Sequence, residues 1–272
     1  MVRYTRFIPP RWNRDSERHG HRLPCPPARE AGLYVGGSAY RAGMRVARYE
    51  RGNAVWFTLE DLDAAGAAAA ERLGFRRMLD GGWRKSFPAG TPLLDRAWHN
   101  LNRYAEAMLA QAAARAPAPW ADALDALCVR AAGLDWWLTG SAAMAVRGVA
   151  GVEPGDLDLV VSDADARRMG EALADHLVEP VAPADWFCRW WGRAFLCHTR
   201  VEWMGGVGPG ADAPSATDFG PAAAAGLETV SWHGRAIRVP PLALQRAVSA
   251  RRGFTERVAA IDGHLRGAVP LR

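Results

Sequence analysis

The sequence predicts a mixed α/β fold: a β-sheet with flanking helices, preceded by a small α+β unit. Three observations carry that expectation. Short strand-type runs stand at 136–138, 156–161 and 200–204. Runs with apolar residues at helical spacing lie around and between them, at 94–115, 120–132 and 164–176. The resulting order of strand, helix, strand, helix, strand is that of a mixed sheet covered by helices.

Length and composition bound the answer. The chain has 272 residues, 49% hydrophobic and 23% charged, which suits a soluble globular protein of one large or two modest domains. No run reaches the roughly 18 apolar residues of a membrane helix, and the basic N-terminus lacks the apolar core of a signal peptide. A cytoplasmic protein with no membrane partner is therefore expected. The formal net charge is +5, and Lys85 is the one lysine among 34 basic residues. Beyond the N-terminal stretch the arginines are scattered, which favours a solvated basic surface over a nucleic-acid partner held through its phosphates. Cys25, Cys128, Cys188 and Cys197 show no Cys-x-x-Cys spacing and read as free thiols. His19, His21 and Cys25 lack a fourth ligand for zinc.

Taken in order, residues 1–42 form a basic arm broken by Pro9-Pro10, Pro26-Pro27 and Gly36-Gly37. Residues 43–92 form the small α+β unit. Strands are expected at 44–49 and 54–57, and Thr58 caps a helix over 59–73 that Gly74 ends. A hairpin over 75–79 and 83–87 turns at Asp80-Gly81-Gly82. The main domain, 93–272, begins with the helices 94–115 and 120–132, separated by Pro117 and Pro119. Asp163 and Asp165 suit the start of the helix over 164–176. Further on, Gly192-Arg193 are expected to turn the chain before strands at 195–197 and 200–204. Trp190 and Trp191 read first as core packing and second as an aromatic wall of a ligand pocket. A hairpin around His233-Gly234 and helices over 240–250 and 255–266 close the chain.

The chemistry is concentrated in 135–161. An apolar strand ends in Thr139-Gly140-Ser141, and a small-residue helix follows. Backbone N–H groups at such a turn favour an anion. Gly140 lets the backbone come close, and the Ser141 hydroxyl adds a donor. Next stands Asp156-Leu157-Asp158-Leu159, two carboxylates at strand spacing that share one face. Paired carboxylates repel unless a cation lies between them, and oxygen donors of this kind suit Mg²⁺ with substrate phosphates. A third carboxylate, Glu202, sits in an apolar strand run. Asp-x-Asp alone is usually an exposed edge, and Gly-Ser alone is usually a helix cap; their order together is more specific.

That order resembles the nucleotidyltransferase superfamily, which includes the aminoglycoside and lincosamide nucleotidyltransferases and the minimal nucleotidyltransferases of toxin–antitoxin systems. The resemblance covers roughly residues 120–265. It departs in a long gap between Ser141 and Asp156 and in having Glu rather than Asp as the third carboxylate. The resemblance implies a nucleotidyltransferase-like fold and Mg²⁺-dependent transfer of a nucleoside monophosphate from an NTP, such as ATP, to a hydroxyl acceptor. Asp156, Asp158 and Glu202 would hold two Mg²⁺ ions. Gly140 and Ser141 would cradle the phosphates, with Arg147 neutralising charge. The acceptor is open among a small molecule, a protein side chain and an RNA end. The alternative is a non-catalytic member of the fold acting as a nucleotide sensor or protein-interaction module.

Overall fold

The structure is a computed structural model that describes residues 33–34, 44–114, 118–185 and 187–267. The basic arm expected over 1–42, apart from 33–34, lies outside the described residues, as does Pro117.

The N-terminal unit is an antiparallel sheet with one helix. Its strands are β1 (Leu33–Tyr34), β2 (Arg45–Arg51), β3 (Ala54–Glu60), β4 (Arg76–Arg77) and β5 (Trp83–Pro88), in the order β1-β2-β3-β5-β4. Helix α1 (Ala64–Arg72) lies between β3 and β4. Thr58 does not cap that helix. The alternation that buries Val55, Phe57 and Leu59 continues, so Thr58 stays in the strand, paired with Ala47 and Arg84. Asp63 is the cap instead; its carboxylate accepts the Gly66 N–H at 2.6 Å. The strand expected over 75–79 shrinks to Arg76–Arg77.

Two helices follow, α2 (Leu94–Ala112) and α3 (Trp120–Arg130). The helical spacing of Leu94, Trp98, Leu101, Ala105 and Met108 gives α2 one buried stripe. The expected polar placement of His99 holds, and it is exposed.

The main sheet uses β6 (Trp136–Thr139), β7 (Leu157–Val161), β8 (Leu177–Pro183), β9 (Cys188–Leu196) and β10 (Thr199–Val207), in the order β6-β7-β10-β9-β8. Strands β7 and β10 run parallel, and the other neighbours are antiparallel. Helix α4 (Gly140–Ala145) follows β6, and α5 (Ala166–Ala172) follows β7. Helix α5 is shorter than the helix expected over 164–176; residues 173–176 form turns, with the His176 N–H donating to the Leu173 carbonyl at 2.9 Å, before β8 starts at Leu177. Asp165 stands at its start without capping it; its carboxylate instead accepts the Asp135 N–H at 2.8 Å and ties α5 to the chain entering β6.

Two further features differ from expectation. Strand β8 has no sequence forerunner, since Pro180 and Pro183 hide it. It is an edge strand, where a missing N–H need not break a ladder bond. Strand β9 runs straight through Gly192-Arg193, and the chain turns at Cys197 and His198, which both adopt left-handed backbone. Gly192 serves packing rather than turning: a Cβ there would stand 2.3 Å from the Trp203 ring across the strand pair. Cys188 pairs in register with Val207, away from Cys197, and Cys128, Cys188 and Cys197 are free thiols.

The chain ends with α6 (Pro221–Ala225), the hairpin of β11 (Glu228–Trp232) and β12 (Arg235–Val239), and helices α7 (Leu242–Arg251) and α8 (Thr255–Gly267). One apolar cluster runs through both units and includes Phe57, Leu101, Leu124, Leu159 and Trp203. The architecture is the mixed α/β fold that the sequence predicts. No described helix is long and apolar enough to cross a membrane.

Candidate active site: a charged row across the main sheet

Residues directly opposite one another on neighbouring strands share a face of the sheet. Asp158 pairs with Thr139 on β6 and with Glu202 on β10. Glu202 in turn pairs with Arg193 on β9, and Arg193 with Glu179 on β8. A polar row, Thr139–Asp158–Glu202–Arg193–Glu179, therefore crosses all five strands on one face. Arg200 lies two residues before Glu202 and shares that face. Asp156 immediately precedes β7 and turns its carboxylate to Arg200. The opposite face carries Leu138, Leu157, Leu159, Val201 and Trp203 into the main core. Further along the same face as the row, Trp137, Val160, Trp191 and Met204 pack with Phe219 and Ala223. Trp191 is thus core packing.

The three predicted carboxylates share this face, but not as an open acidic cluster. Arg200 donates to Asp156 Oδ2 at 2.6 Å and lies 3.5 Å from Glu202 Oε1. Arg193 donates through Nε to the same Glu202 oxygen at 2.9 Å, and its other end meets Glu179. Lys85, reaching in from β5, donates to Glu179 at 2.6 Å. Three carboxylates (Asp156, Glu179, Glu202) thus meet three basic groups (Lys85, Arg193, Arg200) in one set, with Asp158 in register beside Glu202. All but Asp158 are buried. Burial disfavours the Arg193 charge, yet Glu179 and Glu202 outweigh it and hold its guanidinium above the ordinary arginine range. For Lys85 burial dominates, and the amine is pulled down to about 7 against the attraction of Glu179.

Gly140 and Ser141 open α4 directly beside the row. Gly140 has φ +65°, and a Cβ there would stand 2.7 Å from Asp158 Oδ2. Glycine is thus required twice, for the left-handed backbone and for the approach to the carboxylate. The turn is braced from behind. Thr139 Oγ1 donates to the Asp218 carbonyl at 2.5 Å, and Gln245 of α7 donates to the Gly140 carbonyl at 2.9 Å. Ser141 is buried in the first turn of α4. Arg147 is turned to the C-terminal hairpin, where it donates to the Pro240 carbonyl at 2.8 Å and pairs with Glu228 at 2.6 Å.

Sequence reasoning missed the basic half of the site. Arg200 was legible, since it alternates with Glu202. Arg193 was masked by the turn expected at Gly192. Lys85 had one signal, its being the only lysine in an arginine-rich chain.

By donor type alone, the carboxylates suit a hard divalent cation. Asp156, Asp158 and Glu202 supply oxygen ligands of the type Mg²⁺ takes, and the Arg200 guanidinium already puts positive charge between Asp156 and Glu202. Arg200 already occupies Asp156, and no three acidic, His or Cys side chains among the described residues are gathered around one ion position.

Comparison with known protein families and with curated proteins finds no match. Among solved structures, the chain is similar to a Thermotoga maritima protein provisionally named a nucleotidyltransferase. The TM-score is 0.39 and the identity 18%, over 53% of this chain and 91% of the other. A similarity at this level says nothing about what this chain binds.

Proposed function

We propose that this protein transfers a nucleoside monophosphate from an NTP to a hydroxyl acceptor and releases pyrophosphate. One observation carries the reading: Asp158 stands in register with Glu202 on a parallel neighbour while its carboxylate lies against the Gly140 turn. Carboxylates and the Gly-Ser turn are thereby adjacent, as a triphosphate site requires.

The acceptor oxygen attacks the α-phosphorus, the bond to the β-phosphate oxygen breaks, and pyrophosphate leaves with the electron pair. Asp156 and Asp158 would hold Mg²⁺, with Glu202 completing the site. When bound, the ions supply charge neutralisation of the phosphates and a lowered acceptor pKa. Gly140 and Ser141 would present backbone N–H and hydroxyl donors to the β- and γ-phosphates. Glu202 would take the acceptor proton, with Arg193 and Arg200 fixing its position. Arg147 would add positive charge only after releasing Glu228.

The test is NTP binding by calorimetry, with and without Mg²⁺, on the wild type and on Asp156→Ala/Asp158→Ala. Mg²⁺-dependent binding that the double variant loses supports the reading. An acceptor screen for pyrophosphate release, covering small molecules, proteins and RNA, then follows. No NTP binding by the folded wild type would sink it.

A second reading is a non-catalytic nucleotide sensor or interaction module of the same fold. It is favoured by the arginines that already neutralise Asp156 and Glu202. Nucleotide binding that is indifferent to Mg²⁺, with no pyrophosphate from any acceptor, would select it.

A further inference from the structure

The charged row does not end at the edge of the main sheet. Beyond Glu179 it passes to the N-terminal unit, whose β5 supplies Lys85. The amine donates to Glu179 Oε1 at 2.6 Å and to the Leu73 carbonyl, where α1 ends, also at 2.6 Å. Arg193 donates to that same carbonyl at 2.8 Å. Leu73 and Glu179 therefore hold Lys85 and Arg193 side by side. The Phe75 ring lies 5.1 Å from the amine. The side chains of Lys85, Glu179 and Arg193 are 6%, 2% and 1% exposed, so each carboxylate–cation contact here is buried.

The choice of lysine is informative. This chain uses arginine at every other basic position. A guanidinium is a broad planar fork, whereas the lysine head is a compact point charge. Here the compact group sits between a carbonyl, a ring and a carboxylate that already holds a guanidinium.

Glu179 is thus shared between Lys85 and Arg193, and Arg193 is shared between Glu179 and Glu202. Each sharing limits how far the shared group can be drawn to one side. We infer that Lys85 is a positioning residue for the candidate active site: by taking part of Glu179, it leaves the Nε edge of Arg193 to hold the Glu202 carboxylate in the row. The N-terminal unit is then an integral part of the site. This inference rests on the nucleotidyl-transfer reading only for its binding arm.

The experiment compares the full-length wild type, Lys85→Met, and Lys85→Met/Glu179→Gln at about pH 6, where Lys85 is protonated and the double variant removes both charges. Two readouts are taken: the crystal structure of each variant, and NTP affinity with and without Mg²⁺. In Lys85→Met, Glu179 is left to Arg193 alone and draws it off Glu202. Mg²⁺-dependent affinity falls by about tenfold, and Mg²⁺-independent affinity stays within about twofold. In the double variant the Arg193–Glu202 contact and the affinity both return. A general loss of folding would instead weaken both affinities together.

Two outcomes overturn the inference. One is a Lys85→Met structure in which Arg193 still donates to Glu202. The other, decisive even if the single variant does not fold, is a folded double variant that lacks the Arg193–Glu202 contact. If the wild type binds no NTP, the proposed function fails, while the crystal structures still decide the positioning role.

Discussion

Gly140 and Asp158 occupy one another's space: the position where any other residue would carry its Cβ lies 2.7 Å from the Asp158 carboxylate oxygen. This contact joins the turn after β6 to the acidic strand β7, so the two halves of the proposed site, the Gly-Ser turn and the carboxylates, are built as one piece.

Gly140→Ala should therefore damage both halves. The left-handed backbone costs an alanine about 1–2 kcal/mol, and the new methyl must push Asp158 aside. The expected result is a modest fall in melting temperature with a disproportionate loss of NTP binding. Calorimetry and a thermal melt on the same preparation check it. Unchanged NTP affinity would place the nucleotide elsewhere.

Asp156 and Asp158 should respond differently to substitution. Asp156 is 2% exposed and is the nearer carboxylate partner of Arg200, so Asp156→Ala takes the shortest counter-charge from a buried guanidinium and costs about 3 kcal/mol. Asp158 is only half-buried, and Asp158→Asn should leave stability within about 1 kcal/mol. Its turnover should nonetheless fall by about 100-fold or more, since phosphoryl chemistry rests on placed charge. Urea melts and pyrophosphate release on the two single variants separate stability from function.

Gly192 should tolerate no side chain. A Cβ would lie 2.3 Å from the fully buried Trp203 ring, which Trp203 Nε1 also anchors by donating to the Ala166 carbonyl at 3.1 Å. Gly192→Ala should cost about 3 kcal/mol by overpacking, read as a lower urea midpoint. A wild-type midpoint would show that the β9–β10 packing is looser than described.

Lys85 should make stability depend on pH in a defined window. Burial lowers its amine from 10.5 to about 7 in the folded protein. Between these values the unfolded chain holds a proton that the folded chain lacks, so stability rises with pH across that window. It falls as pH drops towards 7, and below that both states are protonated and this dependence ends. Wild type should therefore gain stability relative to Lys85→Met between about pH 7.5 and pH 9.5. Denaturant midpoints for both proteins at the two pH values test this. A difference that stays constant would place the amine near its ordinary value.

How much was legible follows from the range of each signal. The α2 stripe and the alternation around Asp156, Asp158 and Glu202 repeat within a few residues, and they appear in the structure nearly as read. Local rules failed where a residue answers to a distant one. Gly192 looks like a turn until Trp203 is known to lie over it. Pro180 and Pro183 look like breakers until β8 is known to be an edge. Thr58 looks like a cap until its pairing with Ala47 and Arg84 is known.

By itself, the sequence determined that this is a mixed α/β protein with a Gly-Ser turn and two carboxylates sharing a strand-type pattern, because helix and strand periods are written into neighbouring residues. Only the tertiary structure decided that Glu202 stands beside Asp158, that Arg193 and Arg200 occupy the acidic face, and that Lys85 reaches it from another sheet. The physical reason is that a strand's period says which face a side chain takes. Which strand pairs with which, and in what register, depends on how the whole chain buries its apolar surface while leaving no charge without a counter-charge.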